Sequence, residues 1–229
     1  MRVLTLNLDA ERVTAWAKSV SIPRHDVGYL AHAFMRRFFE DAAPQPFLAV
    51  KEEGCLMVEG VLSENVEPEV FEGSHDVMDC GVKDVTLPQS GDVAAFRVRL
   101  CPVMRNGSSG KEIETDAFLV MLRRAEAAGQ TPPKRMQVYR QWAAGRFVDC
   151  LNVSKTYIER YEQIRPCRRG APGHVGAPAA IGWRPIIDVS VSGVVTDAER
   201  FAQIARRGIG RHKAFGFGYI RMGDRHETR

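Results

Sequence analysis

The chain has 229 residues, 45% of them hydrophobic and 26% charged, a balance that suits a water-soluble protein of one large or two small domains. No apolar run approaches the roughly 20 residues of a membrane span, and the start lacks the basic-then-apolar pattern of a secretory signal. The five cysteines are scattered without a CxxC, which argues against a zinc site or a disulfide framework and for a reducing cytoplasm. The formal net charge of +4 hides an asymmetry: residues 1–92 carry 8 Lys and Arg against 16 Asp and Glu, residues 93–229 carry 24 against 12. An arginine-rich basic half suits a polyanion, because guanidinium forks onto phosphate oxygens as well as attracting them. A solvated basic face with no partner is the plainer alternative.

In chain order, VLTLNL (Val3–Leu8) alternates as a half-buried strand does. Asp26 is a good N-cap for a helix running to about Glu40. PFLAV (Pro46–Val50) and CLMVEGVL (Cys55–Leu62) read as strands, and Ser63–Asp84 shows no usable pattern. LPQSGD (Leu87–Asp92) gathers Pro, Ser and Gly at the charge crossover and marks a boundary between domains at 1–90 and 93–229. AAFRVRL then puts Phe96, Val98 and Leu100 on one strand face and Arg97 and Arg99 on the other, one side core and the other positive. Asp116–Gly129 is a helix with an Asp cap, late arginines and a terminal glycine, whereas Gln130–Cys150 is basic and mixed. Ile186–Val195 is a strand, TDAE (Thr196–Glu199) a capping box for a helix ending at Arg207 before Gly208, and FGFGYIRM a last strand. With one further strand in each insert, both halves follow β-α-β-β-α-β, giving an α+β protein of two tandem ferredoxin-like (RRM-like) domains. The tail GDRHETR is expected to be disordered.

Three places carry chemistry. On the first helix Val27, Leu30, Ala31, Phe34 and Phe38 form the core face, leaving Tyr29, His32 and Arg36 as a polar strip opposite. An imidazole can take a proton from a ribose 2′-hydroxyl or give one to a leaving oxygen near neutral pH, with a cation to stabilise the phosphorane. A solvated histidine is the commoner meaning of such a pattern; His25 and His212 are competing acid–base candidates, and His75, His174 and His226 read as surface residues. The second place is RRGIGRHKAFGFGYIRM (Arg206–Met222), where Gly208, Gly210, Gly216 and Gly218 lie among Arg211, His212 and Lys213. It follows a helix and precedes a strand, the reverse of a dinucleotide-binding glycine motif, and suits close approach of backbone amides to a nucleic-acid phosphate. A glycine-rich turn with incidental charge is the alternative. The third is the loop YEQIRPCRRGAPGHVG (Tyr161–Gly176), whose Arg165, Arg168 and Arg169 could enter the groove of an RNA stem or sit on a plain surface loop. No His, Asp, Glu or Cys set has metal-ligand spacing, and no cofactor is indicated.

These segments resemble the CasE-type endoribonucleases that process CRISPR precursor RNA in type I-E systems. GIGRHKAFGFGYIRM is similar to the family's G-I-G-x-x-K-x-x-G-x-G-hydrophobic signature, the most specific match. The helix with YLAH, then Phe39 and PFLAV, is similar to its Tyr-x-x-His helix and following strand. FRVRLCPV is similar to its F-R-x-R-x-x-P strand. In order and spacing these cover most of the chain apart from about 63–84 and 130–163. The resemblance implies two tandem ferredoxin-like domains and metal-independent cleavage at the 3′ base of a repeat hairpin, leaving a cyclic-phosphate-type 3′ end and a 5′-hydroxyl. It implies His32 as general acid/base with Tyr29 beside it, and Lys213 with the four glycines contacting or shaping the RNA surface. It also implies a monomer when free, no membrane, and retention of the product RNA within a CRISPR effector complex. Arg36 stands where the family usually has a Trp, a departure that resembles a divergent branch attached to type IV loci, in which arginines could share catalysis with His32. The rival readings are a non-catalytic RRM-like RNA-hairpin binder, echoed in KAFGFGYI, and a small-molecule phosphate binder, which leaves the charge asymmetry unexplained.

Overall fold

A computed structural model describes residues 1–223 apart from 24, 64–67, 72, 107–112, 169–178 and 181. In the first half, β1 (Arg2–Asp9) leads into α1 (Ala10–Ser19) and α2 (Val27–Phe39), followed by β2 (Phe47–Glu52), β3 (Cys55–Val61) and β4 (Val77–Asp84). The four strands form an antiparallel sheet in the order β2-β3-β1-β4. Alternation along β1 sends Leu4, Leu6 and Leu8 to the face covered by the helices, where they meet Leu30, Ala31 and Phe34. The Asp26 side chain accepts from the Tyr29 amide at 2.9 Å and so starts α2 where the sequence places it. No sequence signal pointed to α1, because its N-cap is the last residue of β1: Asp9 accepts from the amides of Glu11 and Arg12 with no loop between. The second helix of the ferredoxin plan is reduced, among the described residues, to a 3-10 turn at Pro68–Phe71. Its Phe71 ring fills the space against Phe38 and Phe39.

The second half repeats the plan with additions. Its elements are β5 (Val93–Leu100), β6 (Val103–Asn106), β7 (Ile113–Asp116), α3 (Ala117–Ala127) and α4 (Arg135–Ala144), then β8 (Leu151–Ile164), β9 (Cys167–Arg168), β10 (Ala179–Ala180), β11 (Arg184–Val195), α5 (Ala198–Arg207) and β12 (Ile220–Met222). The main sheet runs β12-β5-β11-β8, all antiparallel, which is the first sheet's order once its strands are counted alike. The pairs β6-β7 and β9-β10 are separate small hairpins on this frame. Phe96, Phe147 and Phe201 pack together at the centre of the second core. Two local expectations are corrected. The cap of α5 is Asp197, which accepts from the Arg200 amide, because the Thr196 amide is still bonded to the Cys150 carbonyl at the sheet margin. The last strand is only Ile220–Met222, because Gly216 and Gly218, at φ of 83° and 80°, turn the chain out of extended geometry.

The halves meet closely. A Cβ on Gly28, in the first turn of α2, would lie 2.0 Å from the Phe215 carbonyl oxygen, so only glycine lets the two backbones touch. Arg99 donates to the Ala49 carbonyl at 3.3 Å, and the buried Glu59 carboxylate takes Lys83 from its own half and Arg221 from the other, each at 3.0 Å. Among the described residues no helix is long and apolar enough to cross a membrane.

Candidate functional site

The polar edge of α2 opens onto a cleft of about 820 Å³ at the seam between the halves, lined among others by His32, Arg36, Arg2, Gln45, Asp84 and Arg206. His32 is half-buried with its ring parallel to Phe47, centroids 6.2 Å apart, and its buried Nδ1 has no hydrogen-bond partner among the described residues. Burial, and then the neighbouring Arg36 guanidinium, hold its pKa below the usual histidine value. Both causes disfavour the imidazolium, so the neutral ring is favoured near pH 7. Arg36 is paired with Asp41 on the cleft wall.

Of the polar strip, His32 and Arg36 share the cleft, whereas Tyr29 turns to the second half and stacks on Phe215 at 6.5 Å. Arg206 was legible only as one of an arginine pair. The last turn of α5 brings it to the cleft, and it makes no hydrogen bond or ion pair among the described residues. Arg36 is taken by Asp41, so Arg206 is the cleft arginine from the second half left available to an anion. A local sequence pattern cannot show this, because the cleft is made where two distant segments meet.

The glycine loop is built differently from an open anion cradle. A Cβ on Gly218 would lie 2.1 Å from the Ile209 carbonyl oxygen, and one on Gly208 would meet Pro46 at 2.7 Å. Gly216 fits against Phe47 and Ala49 of the first half, and Gly210 is open, with Leu100 its nearest neighbour at 3.7 Å. Arg211 and His212 are drawn onto Glu114 of β7, the imidazole Nε2 lying 2.8 Å from the carboxylate. Lys213 donates to the Arg207 carbonyl at 2.7 Å and caps the end of α5. The expected positive face of β5 is largely neutralised: Arg97 pairs with Glu159, and Arg99 forks onto Asp188 at 2.7 and 2.9 Å. Arg165 is exposed just past β8, the Arg168 backbone belongs to β9, and Arg169 lies outside the described residues. His25 and His75 are exposed, and His174 and His226 lie outside the described residues. Among the described residues no three His, Cys, Asp or Glu side chains form a metal-binding group.

Fold and cleft together define a tandem ferredoxin-like protein with a histidine-bearing cleft where its halves join. The profile of the CRISPR associated protein family matches residues 4–222, and the chain belongs to that family. No curated protein matches it. Its structure is similar to that of CRISPR endoribonuclease Cse3 bound to 19 nt RNA, with a TM-score of 0.64, 17% identity and coverage of 98% of this chain and 100% of the other. A Thermus thermophilus Cse3 bound to an RNA representing a pre-cleavage complex gives 0.59 at 16% identity, covering 98% and 100%. A chain of a CRISPR RNA-guided surveillance complex gives 0.56 at 16%, covering 97% and 99%. The shared architecture extends over essentially the whole chain.

Proposed function

We propose that the protein is a CRISPR endoribonuclease that cuts precursor RNA within the repeat, at the 3′ base of a hairpin. The observation that carries the reading is His32: a half-buried imidazole lining a cleft that also holds Arg2, Arg36 and Arg206, on a fold shared with RNA-bound endoribonucleases. In the reaction a base takes the proton of the ribose 2′-hydroxyl, the 2′-oxygen attacks the adjacent phosphorus, and the P–O5′ bond breaks as the leaving oxygen gains a proton. The products are a cyclic phosphate and a 5′-hydroxyl, and no metal is required by the step. His32 serves as the acid/base, and Arg206 is placed to meet the developing phosphorane charge; Arg36 shares that role once phosphate displaces Asp41 from its guanidinium. Residues 1–90 then form the domain of the reacting helix, and 93–229 the domain that grips RNA through Lys213, the glycine turn and the arginines 165, 168 and 169. Likeness to a chain of a surveillance complex supports the further reading that the product RNA is retained in an effector complex.

The test is cleavage in EDTA of hairpin RNAs, including the repeat of an adjoining CRISPR array, by wild type and His32→Ala, with the ends mapped. One cut at a stem base, lost in the variant while binding persists, is the expected result. Binding without cutting by wild type would reduce the protein to an RNA-hairpin-binding subunit, and cutting by His32→Ala at the wild-type rate would remove His32 from the reaction.

A further inference from the structure

Glu114 is a carboxylate at the centre of a charged cluster away from the cleft. Its side chain is only 13% exposed, and it takes Arg211 and His212 from the glycine turn, with Arg184 Nε at 3.7 Å. Burial alone would raise its pKa, and the partners His212 and Arg211 turn the shift downward, so the carboxylate stays charged. A half-buried ion cluster is poor evidence of stability, since apolar residues of the same shape often serve as well; it is better suited to fixing one geometry. The geometry fixed here is unusual. His212 has φ of 61° and ψ of 31°, a left-handed backbone that strains a non-glycine residue and persists only where its surroundings hold it.

From His212 a short path leads to α2. The His212 carbonyl accepts from the Phe215 amide at 2.8 Å, and the two rings meet edge to face at 5.8 Å. Phe215 stacks on Tyr29, and its carbonyl oxygen rests against Gly28. His32 lies one turn further along the same helix. Arg184, the second guanidinium near Glu114, is the first residue of β11.

We infer that Glu114 is a positioning residue: by clamping the Arg211–His212 turn it sets Phe215 against Tyr29 and Gly28, and so fixes how the helix bearing His32 is presented to RNA gripped by the second half. The inference rests on the nuclease reading for its kinetic test and has a second readout that does not. Glu114→Gln keeps the size of the side chain and removes its charge. Single-turnover cleavage at saturating RNA is expected to fall about tenfold while Kd stays within about threefold, a loss made in the reacting complex and not in binding. Combined with Tyr29→Ala, which removes the ring stacked on Phe215, the two losses should not add, because they act on one contact.

An unchanged rate, or losses that add, overturns the inference. So does tighter binding with a steeper salt dependence, which would show Glu114 merely masking Arg211 and His212 from RNA. Where Glu114→Gln fails to fold, His212→Asn takes its place, because asparagine tolerates left-handed backbone and drops the imidazole held by Glu114; the same loss is expected. If wild type cuts no RNA, the nuclease reading fails and the Tyr29 ring resonances decide. Their movement in Glu114→Gln upholds the positioning, and their constancy overturns it.

Discussion

His32 and His212 are alike in several respects and differ in the one that matters for chemistry. Both are half-buried, both lie against an aromatic ring, and burial is the first cause lowering the pKa of each. At His32 the next contribution is Arg36, which lowers it further; the residue lines the cleft, while its Nδ1 is buried with no partner among the described residues. At His212 the next contribution is Glu114, which raises it, and Nε2 is bonded to that carboxylate. An imidazole kept neutral at the wall of a cleft, with no carboxylate bonded to it, can carry a proton between substrate atoms. One clamped by a half-buried carboxylate holds backbone in place, and its proton is committed.

The largest effect expected from this contrast is kinetic. His32→Ala should lower the single-turnover rate by about 10²–10⁴-fold, the usual weight of a general acid or base. His212→Ala should cost about tenfold through the turn it holds. Equal losses at the two positions would erase the distinction, and a larger loss at His212 would reverse it.

Next in size is a stability contrast among glycines that look equivalent in the sequence. Alanine at Gly28 gains about 1 kcal/mol of helix propensity, but its Cβ would sit 2.0 Å from a backbone oxygen that cannot move without parting the halves. The clash wins, and a net loss of about 2 kcal/mol or more is expected. Gly218→Ala should behave alike, its Cβ lying 2.1 Å from the Ile209 oxygen. Gly210→Ala meets nothing closer than 3.7 Å and should cost only the left-handed penalty of about 1 kcal/mol. Urea midpoints at constant m-value measure all three. A Gly28 variant as stable as the Gly210 variant would mean that the seam between the halves is loose.

The same contrast shows what a sequence can carry. The strands β1, β2, β3, β5 and β11 and the helices α2, α3 and α5 were legible because each has an apolar period of its own and most have a capping residue at a loop. β8 was not, because its register with β11 shifts twice, at Asp188/Val189 and at Ser192/Gly193, and each extra residue reverses the alternation. α4 was not, because it packs partly through a polar cluster, Asp116 with Arg135 and Tyr139, and presents no apolar stripe. At the site, helical period alone put His32 and Arg36 together. It could not show that Tyr29 leaves the cleft for Phe215, that Arg206 enters it, or that Glu114 takes Arg211 and His212. Each of these is a contact between segments tens of residues apart, and charge counting left the arginines free where the fold pairs them.

A smaller kinetic effect separates the arginines. Arg206 is unpaired on the cleft wall, so Arg206→Ala should slow cleavage about tenfold, one charge-assisted contact to the phosphate. Arg206→Lys should recover part of that loss. Arg97→Ala, whose partner is Glu159, should leave the rate within about twofold, as an exposed pair contributes little. Similar losses at both positions would point to diffuse electrostatics in place of a contact in the cleft.

The smallest effect is a displacement of the pH profile, and its sign does not depend on which proton His32 moves. Its pKa lies below the usual value because burial and then Arg36 disfavour the imidazolium. Arg36→Ala removes the second cause and leaves the first, so the pKa moves up. If His32 acts as the base, activity rises with pH through this pKa, and the limb shifts to higher pH in the variant. If it acts as the acid, activity falls with pH through the same pKa, and that limb also shifts to higher pH. The direction of the limb therefore assigns the role, and the direction of the shift tests the coupling. A limb that stays in place would mean that Asp41, which holds the Arg36 guanidinium, already cancels its field at the ring. The low pKa of His32 would then rest on burial against Phe47, and substituting Phe47 in place of Arg36 should move it.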